Sequence, residues 1–300
     1  MLSKIETKKY HIFSKCISAK DLDKLKELLI TFNIGFKVRI RLKELIHPLS
    51  KSLCLIWGIE LSKMSSNHVM VAGIFFEKIN LWSLDVVTTV NLIYTLSTSD
   101  EWRIREVAIN LLFKGITKEY SNYKNCFTQL TKSEDPKQRR VAIRAAKHIA
   151  NLSIKDKAIK PWIFLEIEKY FSEENDFVLR ATIDTFSSGF LRHCPDLIID
   201  SIINLIQNEL KNKTKINILR AINGNVEKEY VEKILNIIDY FILESNETIK
   251  YAQLAVLKTM SRVDVKKISI WLEERMAIEN VVEFWAQLAV EGFIVDDYLY

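Results

Sequence analysis

Glycine is scarce in this sequence, with seven residues in 300 against an average usage of about 7%. Loops that cradle phosphate need glycine, and neither GxGxxG nor a GxxxxGK motif occurs, which takes most of the weight from dinucleotide-binding and P-loop readings. Cysteine is sparse and scattered: Cys16, Cys54, Cys126 and Cys194 form no CxxC and have no histidine at ligand spacing. They read as reduced, mostly buried thiols of a cytosolic protein. His11, His47, His68, His148 and His193 are equally dispersed, so no metal site and no cofactor is expected. No serine or cysteine has a histidine at a nucleophile–base spacing, which removes acyl transfer. Long apolar runs are missing too. The start, MLSKIETKKYHIF, lacks the apolar core of a signal peptide, and the most apolar stretch, LCLIWGIEL, is too short to span a bilayer. The expectation is a soluble, cytoplasmic protein with no membrane segment.

Leucine, isoleucine, lysine and glutamate dominate what is present, a composition that favours helices and, with 48% apolar residues, a packed core. The formal charge of +5 permits a polyanionic partner without requiring one. The distribution of that charge therefore matters more than its sum.

A signature recurs along the chain: a polar turn, a basic or long residue, then a helix rich in small apolar side chains. It reads SSNHVMVAGIFF, SDEWRIREVAINLL, EDPKQRRVAIRAA and ENDFVLRATIDTF, with weaker copies at LKNKTKINILRAI and SNETIKYAQLAVL. Alignment places Met70, Arg105, Arg139, Arg180, Lys215 and Lys250 at one position, at intervals of 35, 34, 41, 35 and 35 residues; Arg39 marks a further candidate copy. Such intervals suit two-helix repeats. Between the copies lie other apolar-faced segments, such as WSLDVVTTVNLIYTL and DLIIDSIINLIQNEL. One helix pair cannot bury its stripe alone, whereas a stack of pairs can. The predicted fold is therefore all-α: a HEAT-like α-solenoid, a right-handed superhelix of antiparallel helix pairs with about six or seven repeats. It is expected to be a single domain over 1–300, with capping helices at 1–34 and 263–300. Asp135 is placed as an N-cap and Pro136 as a first helical residue.

Two kinds of cation stand out. Arg105, Arg139 and Arg180 recur at one repeat position and follow acids in the turns, Asp100, Asp135 and Asp176, which are expected to pair with them. Within EDPKQRRVAIRAAKHIA a second set departs from the repeat. Lys137, Arg140, Arg144 and Lys147 follow i, i+3, i+7, i+10 spacing, with His148 flanking, while Val141, Ala145 and Ile149 take another face. The row contains no acid and uses arginine, which suits bidentate phosphate contact. Arg103, Lys132, Lys155, Lys157 and Lys160 are candidate extensions. The bland alternative is a solvated helix face. Trp102 is read as a residue that packs repeat on repeat.

SDEWRIREVAINLL, then EDPKQRRVAIRAAKHIA, then ENDFVLRATIDTFSSGFLRHCPDLIIDSI resembles the bacterial DNA alkylation-repair (AlkD-like) HEAT-repeat family. The likeness covers roughly residues 35–260 and is strongest over 80–205. It lies in the S-D-x-W-x-x-R pattern and the later L-R-x-x-P-D. The resemblance implies a basic concave groove that cups double-stranded DNA. Active members release cationic N3- or N7-alkylated purines without metal or cofactor; a carboxylate stabilises the oxocarbenium-like sugar, and two tryptophans pack on the deoxyribose and backbone. The first tryptophan and the carboxylate match Trp82 and Asp85 in LWSLD, one residue closer than in the family, on what would be a shared helix face. Read from the residues alone, Trp82 is equally a core anchor and Asp85 a helix-start acid. The second tryptophan should fall near RATIDTF, where this chain has Asp184 and Phe186 instead. Three functions follow as alternatives: a glycosylase for alkylated purines, a DNA-structure binder without chemistry, and a scaffold whose concave face takes an acidic peptide or partner helix.

Overall fold

The computed structural model describes residues 4–31, 36–152 and 158–275, and helices are the only regular structure among those described residues. The chain divides into two compact units, Met1–Ala145 and Ala146–Tyr300. The first holds α1 (Lys4–Ser18), α2 (Leu22–Thr31), α3 (Phe36–Ile46), α4 (Lys51–Ser62), α5 (Ser66–Ile79), the short α6 (Leu81–Leu84), α7 (Val86–Ser97), α8 (Trp102–Lys118) and α9 (Tyr120–Lys132). The boundary falls inside α10 (Pro136–Ala150). The second unit continues with α11 (Ile159–Ile167), α12 (Asp176–Thr185), the short α13 (Leu191–His193), α14 (Pro195–Leu205), α15 (Asn212–Ile222), α16 (Val231–Tyr240), α17 (Glu247–Ser261) and α18 (Val265–Arg275). A 3-10 turn, Glu168–Ser172, extends α11, and a π segment, Phe186–Phe190, joins α12 to α13. Of the expected C-terminal cap, residues 276–300 lie outside the described residues.

Within each unit helices pack as sequential pairs, and pairs touch their successors. In the first unit α4 lies on α5 and α7 on α8, while α3, α5 and α8 touch in turn. In the second, α12, α15 and α17 touch in succession, as do α11, α14, α16 and α18. Each helix supplies apolar residues at helical spacing to this packing. On α16, for example, Val231, Ile234, Leu235, Ile237 and Ile238 are all buried, which removes one stripe from water as amphipathic helices do.

Short polar side chains start the helices. Asp135 Oδ1 accepts Lys137 N at 2.8 Å, as expected of an N-cap before Pro136. Asn175 and Asn246 each accept two backbone N–H groups at the starts of α12 and α17. These bonds satisfy donors that a helix start leaves without partners. Asn80 ends α5 in the left-handed region at φ 53, a conformation that asparagine tolerates better than most residues. Gly115 has a different purpose: a Cβ there would sit 2.6 Å from the Tyr123 ring, so only glycine lets α8 and α9 meet this closely.

Hydrogen bonds between distant residues carry the repeat spacing. His68 Nε2 meets Lys26 O at 3.0 Å, Lys137 Nζ donates to Thr98 O at 3.2 Å, and Lys213 Nζ donates to Glu174 O at 3.0 Å. All three donors stand two residues before the aligned repeat position, and all three acceptors lie 39–42 residues earlier. Along the other layer Tyr94 donates to Gln129, and Tyr230 to Asp196 at 3.1 Å, across 35 and 34 residues.

The repeated arginines fasten the turns that precede their helices. Arg105 Nη1 donates to Ser99 O at 2.6 Å and to Asp100 O at 2.8 Å; Arg139 Nη1 donates to Ser133 O and Glu134 O, both at 2.9 Å. Both arginines thus bond main-chain carbonyls of the turn before their own helix, and the Asp100 and Asp135 charges also act on Arg105. The turn brings two carbonyls together, and one guanidinium spans both. Asp135 caps α10, and Arg180 is exposed.

Candidate functional site

On α10 the cationic row and the apolar stripe separate as the spacing implies. Val141, Ala145 and Ile149 are buried, whereas Lys137, Arg140, Arg144, Lys147 and His148 are half-buried. Both lysines of the row meet carboxylates from other segments of the chain. Lys137 Nζ lies 2.6 Å from Asp100 Oδ1, and Lys147 Nζ lies 2.7 Å from Asp184 Oδ1. The sequence could not display these acids as part of the row, because they come from other segments. Asp100 is 94% exposed in its side chain, so the first pair is open to solvent and to competition. Lys160 donates to Ala150 O at 2.8 Å and so closes the C-terminal end of α10, where a cation also complements the helix dipole. Lys132 is exposed at the end of α9; Lys155 and Lys157 lie outside the described residues.

Trp82 and Asp85 do not share a helix face. The helix breaks between them: α6 ends at Leu84, and Asp85, at φ −146 and ψ 89, is the N-cap of α7. Its Oδ1 accepts Thr88 N at 2.9 Å and its Oδ2 accepts Thr88 Oγ1 at 2.7 Å. These two bonds, the hydroxyl one foremost, hold the carboxyl below its ordinary range, because they stabilise the ionised form. Trp82 is 6% exposed, and its carbonyl accepts the Tyr123 hydroxyl at 2.8 Å. Burial pushes the Tyr123 phenol up to about 12.

Trp82 also lines a cavity of about 290 Å³ where α3, α5, α6 and α8 meet. Its apolar wall includes Met70, Ile74, Val107, Leu111 and Phe113. Lys43 and Glu77 stand in the lining as an ion pair at 2.6 Å, joined there by Asn110 and Lys114. Asp85 does not line it. A smaller recess beside it shares Met70, Val107 and Asn110, and is completed by Trp102, Arg103 and Glu106. Sequence reasoning missed this cavity. Its walls come from residues about a repeat apart, and only the packing of α5 on α8 makes them neighbours.

Trp102 overturns its expected packing role. It is 64% exposed at the first residue of α8, and the half-buried Arg103 places its guanidinium 5.6 Å from the indole centroid. Near RATIDTF, Phe186 is fully buried and stacks on Phe171 with centroids 4.4 Å apart; it therefore presents no ring at the surface. Asp184 accepts Ser188 Oγ at 2.9 Å as well as Lys147. Ser187 and Ser188 both donate back to carbonyls four residues earlier, in the π segment, a bonding habit that accompanies bent helices.

Among the described residues no group of three His, Cys, Asp or Glu side chains is placed to hold a metal ion, and no helix is long and apolar enough to cross a membrane. No protein-family model and no curated protein matches the chain. Among solved structures, the crystal structure of an engineered protein from a structural-genomics consortium is similar over 91% of this chain and 98% of its own, at 14% identity and a TM-score of 0.23. At that score the likeness carries no weight for function.

Proposed function

We propose that this protein is a HEAT-type helical-repeat protein of the DNA alkylation-repair kind that grips double-stranded DNA through α10. The observation that carries the reading is the row itself: five cationic or titratable side chains, Lys137, Arg140, Arg144, Lys147 and His148, on one helix whose other face is buried. Side chains at that depth are partly ordered before a ligand arrives, so less freedom is lost on binding. Phosphates compete with Asp100 for Lys137 and with Asp184 for Lys147, while Arg140 and Arg144 supply planar donors between them. The repeat-spaced bonds and the successive helix contacts within each unit support the helical-repeat part of the reading.

The test is DNA affinity across a salt series. Neutralising about 4 phosphates predicts a slope of log affinity against log salt near −3.6. Arg140→Glu with Arg144→Glu should abolish most binding. Salt-insensitive binding, or affinity unchanged in the double variant, would leave a protein-binding scaffold as the better account.

A second reading, glycosylase action on N3- or N7-alkylated purines, is supported by one observation: Trp82 lines a cavity while Asp85, three residues on, is held ionised. An ionised carboxylate is what a developing oxocarbenium sugar requires. Asp85 meets Thr88 rather than the cavity, so DNA binding without excision is the stronger form of the proposal. Release of 7-methylguanine from methylated DNA by the purified protein, lost in Asp85→Asn, would establish the enzyme.

A further inference from the structure

We infer that the recess running from Trp102 to Trp82 is a binding site for a single unpaired nucleobase, so that the protein prefers DNA interrupted by a bulge or gap to fully paired DNA. The inference rests on the DNA-binding reading above and adds what it lacks, a source of discrimination. Phosphate contacts along α10 are blind to base pairing.

Three observations converge on this site. First, Trp102 leaves most of its indole in water, 64% exposed, where burial of such a ring would be strongly favourable. Second, the Arg103 guanidinium lies 5.6 Å from that ring; an indole with an adjacent cation is the combination on which bases stack and beside which their phosphates are neutralised. Third, the exposed ring lines a recess that shares Met70, Val107 and Asn110 with the cavity of about 290 Å³ reaching Trp82. That volume is at the small end of ligand pockets. Its lining combines apolar side chains of α5 and α8 with polar groups in Asn110, Lys114 and the Lys43–Glu77 pair. The lining offers a flat heterocycle apolar contacts in Met70 and Val107 and a polar partner in Asn110.

The site also joins the cationic row in register. Lys137 is tied to Asp100 and to Thr98 O, which places the first cation of the row beside the turn that carries Trp102. A strand whose phosphates run along Lys137 and Arg140 passes the indole with a base that is free to leave the stack. A paired base gains nothing there, because its faces are already covered. An unpaired base avoids the unstacking cost and gains the indole.

The experiment compares full-length protein on two duplexes of equal length, one fully paired and one carrying a single unpaired 2-aminopurine, by anisotropy and by quenching of the 2-aminopurine. Tighter binding of the interrupted duplex by about ten-fold is expected, with quenching on binding. Trp102→Ala and Asn110→Trp, both at exposed positions, should each erase that preference while holding paired-duplex affinity within about two-fold. The first removes the platform, and the second blocks the recess. Equal affinity for the two duplexes, or a preference retained in both variants, overturns the base site while leaving the DNA reading intact. Failure to bind either duplex overturns both.

Discussion

Lys137 Nζ lies 2.6 Å from Asp100 Oδ1, so the first cation of the α10 row is held by an acid from the turn that opens α8. This bond draws the Asp100 carboxyl below its ordinary range. It also sets a competition between carboxylate and phosphate for one ammonium group. Asp100→Asn removes the competitor from an exposed position, so stability should be almost unchanged. Affinity for duplex DNA should rise about two- to five-fold at low salt, with the salt slope steeper by up to about one counterion. A titration at several salt concentrations measures both.

Asp85 separates a structural task from a chemical one. Asparagine caps helices about as well as aspartate, whereas alanine does not. Asp85→Ala should therefore cost about 1 kcal/mol in chemical denaturation near neutral pH, and Asp85→Asn much less. The carboxyl is held below its ordinary value of 3.8 in the folded chain. Its stabilisation is thus complete above that value and lost as pH falls through the lower, folded-state one. The alanine penalty should shrink in acid below about pH 4. If the Asn variant remains stable yet loses base release, the carboxylate acts in chemistry; equal release by both proteins removes Asp85 from it.

Arg105 is 7% exposed and bonds two carbonyls. Burial lowers its pKa, opposed by the nearby Asp100 and Asp135 charges, but a guanidinium stays protonated at any physiological pH. Arg105→Lys loses the planar fork, and Arg105→Ala leaves both carbonyls without this donor. The alanine variant should lose about 1.5–3 kcal/mol, with lysine recovering only part. Thermal unfolding of both variants decides the matter.

Tyr123 ties α9 to the carbonyl of Trp82. Tyr123→Phe keeps the ring against Gly115 and removes only the hydroxyl, for an expected loss of about 1–2 kcal/mol. Gly115→Ala drives a Cβ to within 2.6 Å of that ring and should cost about 1–3 kcal/mol by forcing the helices apart. Both variants should also disturb Trp82 fluorescence, since its main chain is held from this side.

Gln253 is 1% exposed on α17, and its Nε2 has no hydrogen-bond partner among the described residues. An amide donor withdrawn from water without compensation costs about 1–3 kcal/mol. Gln253→Met, similar in shape and without the donor, should raise the melting temperature. A fall would show that the amide is satisfied in solution.

Much of the helical order was legible in the residues, because a repeated turn-and-helix signature reports itself without any tertiary knowledge. The Asp135–Pro136 start of α10 is an instance: capping depends on residues within one turn of each other. The arginine bonds were not legible. Asp100 and Asp135 look like partners by charge, and their charges do act on Arg105, but only the folded turn reveals that Ser99 O and Asp100 O lie where the guanidinium reaches. Trp82 and Asp85 fit one helix face by spacing, but Asp85 breaks the helix by capping the next. The cavity escaped notice for a simpler reason. Lys43, Ile74 and Lys114 are far apart in the chain, and no local pattern links them.

Arg105 and Arg139 each fasten the loop that precedes their own helix. Every such segment is then a self-latched cassette. Gain or loss of one cassette through recombination would carry its latch with it, so the joint before each helix keeps its shape.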